Sequence, residues 1–186
     1  MSRHLLEREP RSPDFVDGVD HALVRVRLGS PKAGVGQAKA VGNLCRVALL
    51  QLGVKLLLEP HGEVTDSVKR MGDLLADLGH EQTVGICLDT GNSWLGGSEP
   101  LDFVKTFGKR IQHVHWKDMP EAWLPRRGKL FGCGMAVIPL GDGVVGIPAI
   151  VQALQKIGFA GTTTLEVAGA ENVKTSAQRL CRWARG

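Results

Sequence analysis

No tyrosine occurs in this 186-residue chain, and aromatic residues make up only 5% of it. An aromatic platform on which single-stranded nucleic acid could stack is therefore not expected. Nor does the chain contain about eighteen consecutive apolar residues, the length that a membrane-spanning helix requires. Residues 1–15, MSRHLLEREPRSPDF, put charges and prolines where a secretory leader would need an apolar core. The four cysteines, Cys45, Cys87, Cys133 and Cys181, lie far apart and form no C-x-x-C pair. A soluble protein in a reduced, cytoplasmic setting is the expectation. Concentrated charge is missing too. The net charge is +4 and the basic residues are scattered, apart from PRRGK at 125–129 and RLCRWARG at 179–186. Nucleic-acid binding, which calls for a clustered basic stripe, is not expected, whereas a small anionic substrate stays open.

What is present is ordinary globular material: 43% hydrophobic and 23% charged residues, enough for one core. The 24 glycines suit a fold with many tight turns between strands and helices. From about residue 53 onward, short apolar runs alternate with amphipathic ones. The run at 54–61 reads as a strand and 65–79 as its helix, with Thr65 as N-cap and Gly79 as terminator. A strand at 84–92 precedes a helix at 99–110 that carries Pro100 in its first turn. A strand at 111–119, a Gly- and Pro-containing loop to about 146, a helix at 147–158, a strand at 162–167 and a helix from about 172 complete the pattern. Upstream, 21–29 reads as a further strand and 37–53 as its helix, while residues 1–20 show no clean period. The class is α/β with about five parallel strands, against the eight strands and roughly 250 residues of a closed (β/α)8 barrel.

Both faces of a parallel strand are buried, and side chains alternate between them. In IQHVHWKDM, residues 111–119, Val114 and Trp116 take the helix-packing face, and Ile111, His113, His115 and Lys117 take the inner one. Leu56 and Leu58 face the helices while Leu57, Glu59 and His61 face inward. Ile86 and Leu88 are set against Cys87, Asp89 and Gly91, and Leu165 and Val167 against Thr164 and Glu166. Four strands thus deliver an inward acid or imidazole near their C-terminal ends: Glu59, Asp89, His115 and Glu166. Three carboxylates buried together require a cation, and this oxygen-rich set with one imidazole suits Mn²⁺, with Mg²⁺, Co²⁺ or Zn²⁺ as alternatives. His113, deeper in its strand, is assigned a structural role.

The segments LLLEPHG, CLDTGNSWLGGSEPLDFVKTFGKRIQHVHWKD, IPLGDGVVGIPAIVQALQKIGFAG and TTLEVAG resemble the sugar phosphate isomerase/epimerase family, the xylose isomerase-like (β/α)8 barrels. The likeness runs in unbroken order over roughly residues 52–169 and places the family's metal ligands on Glu59, Asp89, His115 and Glu166, the same four that strand parity selects. It implies a metal-dependent isomerase or epimerase acting on a sugar, sugar phosphate or polyol-derived ketone, with proton transfer through a metal-stabilised enediolate. Glu59 and Glu166 would remove and return the proton. Substrate contacts would come from His61, Asn92 and Lys117; many members carry histidine where Asn92 stands. For Lys117 the alternative is a lysine that snorkels from its strand end.

The family's first three β-α units have no counterpart in this sequence, so residues 21–186 are expected to form the C-terminal portion of a partial barrel. Open strand edges would favour homo-oligomers. Two other functions compete with the isomerase. A fragment with its site half present would be a catalytically impaired remnant or interaction module. An abasic-site endonuclease of the same superfamily would need a three-zinc cluster, with more histidines and carboxylates than these strands offer.

Overall fold

The computed structural model describes residues 23–25, 55–79, 83–130 and 132–186. The expected helix at 37–53 and the N-terminal segment 1–20 lie outside the described residues. The strands are β1 (Leu23–Arg25), β2 (Lys55–Leu58), β3 (Val84–Asp89), β4 (Ile111–Trp116) and β5 (Thr162–Leu165). All four pairings are parallel and the sheet order is β1-β2-β3-β4-β5. A sheet whose spatial order follows the chain order, with no reversal, is the arrangement of a barrel wall and not of a doubly wound sheet. Among the described residues β5 pairs on one side only, with β4.

The helices are α1 (Val68–Leu78), α2 (Thr90–Leu95), α3 (Pro100–Phe107), α4 (Ile147–Lys156) and α5 (Ala170–Trp183). One apolar layer forms where Leu56, Leu58, Ile86, Leu88, Val114 and Trp116 meet Met71, Leu74, Leu75, Phe103, Val104, Ile147, Ile150 and Leu154. The strand residues in it are the ones parity assigns to the helix side. Leu57 and Cys87 are buried on the opposite, inner face. Among the described residues no helix is long and apolar enough to cross a membrane.

Three local expectations change. Ile111 belongs to the helix-side core and not to the inner face. The pairing of β3 with β4 slips between Ile86↔Ile111 and Cys87↔His113, so Gln112 is an extra residue and strict alternation begins only at His113. The cap of α1 is Ser67, whose hydroxyl accepts the Arg70 N–H, while Thr65 instead accepts the N–H of His61. The strand expected at 84–92 ends at Asp89, because the Asp89 carboxylate caps α2 by accepting the Asn92 N–H at 2.8 Å.

Candidate metal centre

Glu59 follows β2 directly, Asp89 ends β3, His115 is the penultimate residue of β4 and Glu166 follows β5. All four stand at the C-terminal edge of the sheet, where strands end and loops begin. One donor atom from each lies within 4.8 Å of all the others. His115 Nδ1 is 3.3 Å from Glu59 Oε1 and 3.2 Å from Glu166 Oε1. A single ring nitrogen faces two carboxylates. Three carboxylates and an imidazole make a hard-leaning donor set that fits a divalent cation.

Lys117 reaches into the same group with no solvent exposure at all. Its ammonium donates to Asp89 Oδ2 at 3.0 Å, Glu166 Oε2 at 2.7 Å and Asn92 Oδ1 at 3.3 Å. An ammonium has three protons, and these protein acceptors, with the Cys133 carbonyl at 3.5 Å, take them. The snorkelling alternative therefore fails. The space for its stem comes from Gly91, where a Cβ would sit 2.6 Å from Lys117 Cγ. Burial pushes the Asp89 carboxyl up to about 6, against the opposing pull of Lys117 and the Asn92 N–H. Burial by itself would lower the Lys117 ammonium, but Asp89 and Glu166 outweigh it and hold the group above its ordinary value.

Asn92 is buried one turn into α2 and joins the cluster through its side-chain oxygen, which also accepts the Cys133 N–H at 3.1 Å. His61 is not one of the four converging donors. Its ring packs so closely on Gly132 that a Cβ there would lie 2.8 Å from Cε1. His113 is a support: its ring nitrogens lie 2.6 Å from the Thr162 hydroxyl and 3.0 Å from the Thr164 hydroxyl, and it stands edge-on to His115 at 4.9 Å. Cys87, His113 and His115 also bring ligand-type atoms together, but these threonines already occupy both nitrogens of His113.

Three further residues build the site without having been singled out for it from the sequence. Thr90 fastens β3 to the end of β4, since its hydroxyl donates to Lys117 O at 2.8 Å and accepts the Lys117 N–H at 2.9 Å. Asp118, fully buried, accepts the N–H groups of Met119 (2.9 Å), Gly141 (2.7 Å), Gly143 (3.1 Å) and Val145 (3.1 Å). It pins the 140–145 turn beneath the site. Asp142 of that turn, by contrast, pairs with Arg179 at the surface. Cys133 closes on Asn92 from the loop after β4, and burial raises its thiol above the usual cysteine value. That loop is tied at both ends. Arg127 and Gly128 bond to the carbonyls of Trp94 and Leu95 in α2, and Ala136 bonds to the Glu166 carbonyl at 2.9 Å. Thr90 was visible in the DTGN run, and Asp118 follows Lys117 directly. Cys133, in irregular chain, left no periodic signal.

The chain is similar to proteins of known name. Over 126 residues it is 31% identical to the rhizopine catabolism protein MocC of Rhizobium meliloti, covering 63% of this chain and 38% of that one. Over 124 residues it is 32% identical to the inosose dehydratase of Geobacillus kaustophilus, covering 62% and 40%. The chain thus spans about 40% of the length of these curated relatives. A xylose isomerase domain protein from Planctomyces limnophilus superposes with a TM-score of 0.71 at 21% identity, covering 89% of this chain and 58% of the other. Residues 20–185 match the xylose isomerase-like TIM barrel family, and the order of the sheet agrees, so this chain belongs to that family.

Proposed function

We propose that residues 21–186 form the C-terminal portion of a barrel that acts on a sugar or polyol-derived ketone. The reaction moves a proton at the carbon next to the carbonyl. Isomerisation, epimerisation and the dehydration named for the inosose dehydratase relative can all begin there. The observation that carries the proposal is the pair of carboxylates, Glu59 and Glu166, flanking one nitrogen of His115 at 3.3 and 3.2 Å.

Glu59, Asp89, His115 and Glu166 would hold a divalent ion, for which Mn²⁺ is our assignment. When bound, that ion polarises a substrate carbonyl and its neighbouring hydroxyl, which acidifies the adjoining C–H. Glu59 would take a proton from one side of the substrate and Glu166 would deliver a different one from the other. Lys117 fixes the rotamer of Glu166 by holding its second oxygen at 2.7 Å, and Asn92 orders the mouth through Cys133. His113 keeps the His115 ring from tilting. His61, one residue beyond Pro60 at the end of β2, contacts the far end of the substrate.

The test is solvent deuterium incorporation by the Mn²⁺-loaded full chain, with an inosose and a panel of ketoses. Exchange at the carbon beside the carbonyl is expected, and Glu59→Gln or Glu166→Gln should reduce it by about a hundredfold or more. No exchange with any member of the panel, in protein shown to carry metal, would remove the proposal.

A further inference from the structure

We infer that Lys117 sets the net charge of the metal centre and so makes it selective for divalent over trivalent cations, an inference that rests on the metal-binding reading above. Glu59, Asp89 and Glu166, when ionised, carry three negative charges, and the Lys117 ammonium in contact with two of them leaves a net −2. A divalent ion brings that centre to neutrality. A trivalent ion would leave a buried positive charge beside a fixed ammonium, and buried uncompensated charge is strongly disfavoured.

Lys117 is held so that it stays in place when an ion arrives. Its side chain is fully buried, its Cγ and Cδ lie against Gly91, and its main chain is bonded in both directions to the Thr90 hydroxyl. Asn92 Oδ1 holds the ammonium from a third direction at 3.3 Å. A swing of the side chain into solvent would break the bonds of the ammonium to Asp89, Glu166 and Asn92 at once. The positive charge is therefore part of the site, and an incoming ion meets it at close range.

The experiment measures Mn²⁺ affinity from the paramagnetic signal of the free ion and Tb³⁺ affinity by competition, on the full chain and on Lys117→Met. With the ammonium removed, the ratio of Tb³⁺ to Mn²⁺ affinity should rise at least about tenfold, since each added unit of ion charge no longer meets the lysine. The double variant Lys117→Met/Glu166→Gln restores the net −2 with a different set of groups and should return the ratio to within about threefold of the parent. That arm also guards against a folding artefact, because a merely damaged Lys117→Met protein would not be repaired by a second substitution in the site. An unchanged ratio in Lys117→Met overturns the inference while leaving the metal site standing. A parent chain that binds neither ion overturns the metal reading and this inference together.

Discussion

Asp118→Asn removes one charge and changes no shape, yet it should cost the protein heavily. In the parent, Oδ2 accepts from Gly141 and Gly143, and Oδ1 accepts from Met119 and Val145, with the carboxylate sealed from water. An asparagine keeps one acceptor oxygen and sets an NH₂ group against two backbone N–H donors. Two charge-assisted hydrogen bonds are lost, at about 1.5–3 kcal/mol each, for a total of about 3–6 kcal/mol. For a domain of this size that corresponds to a drop in melting temperature on the order of 10 °C. No alternative rotamer helps, because the four donors surround the group and Gly143 leaves no room: a Cβ there would lie 2.3 Å from Asp118 Oδ1. Thermal unfolding followed by circular dichroism reads the effect directly. The control is Asp142→Asn, which lies between the two contacted glycines but is paired with Arg179 at the surface, and which should change stability by less than about 1 kcal/mol. If Asp118→Asn melts within about 1 kcal/mol of the parent, the anchoring role argued for this carboxylate is wrong.

Gly91→Ala drives a Cβ to 2.6 Å from Lys117 Cγ and 2.7 Å from Cδ, and the forced displacement should destabilise the chain by about 1–3 kcal/mol in a urea titration; a neutral result would show that the lysine stem has room to move. Mn²⁺ at a hundred times its dissociation constant should stabilise the parent by about 2.7 kcal/mol, and His115→Ala should abolish the gain, as differential scanning fluorimetry would report. Asp89 titrates near 6 in the fold against about 3.9 in an unfolded chain, so the native state holds the extra proton across that window. This group's contribution to the stability of the metal-free protein therefore falls as pH rises from about 4 to about 6. Mn²⁺ affinity has the opposite slope: it rises up to about pH 6, as the competing proton leaves, and levels off above. Equal affinity one pH unit below and one above that point would contradict the assignment of Asp89 as a ligand.

The convergence of Glu59, Asp89, His115 and Glu166 was legible because parallel strands alternate their side chains strictly over the last residues before the loops. Where alternation failed, the reading failed with it. Ile111 was placed inward because an extra residue in β4 leaves no mark in composition. The short helix α2 was hidden for a related reason: Asp89 reads equally well as the end of a strand and as an N-cap, and it is both. Lys117 could be placed on the inner face by parity, but its acceptors come from β3, α2, the loop after β4 and the segment after β5, which only the folded chain brings together. Asp118 was harder still, since three of its four partners are backbone N–H groups of a turn more than twenty residues away, and a backbone donor has no sequence signature.

The loop after β4, tied to α2 through Arg127 and Gly128 and to Glu166 through Ala136, has a geometric consequence. β4 lies between β3 and β5 in the sheet, and this loop joins the two flanks: α2, which follows β3, and the segment after β5. Hydrogen bonds at its two ends thus link the elements that carry Asp89 and Glu166, the two carboxylates on either side of His115, by a route that does not run along the sheet.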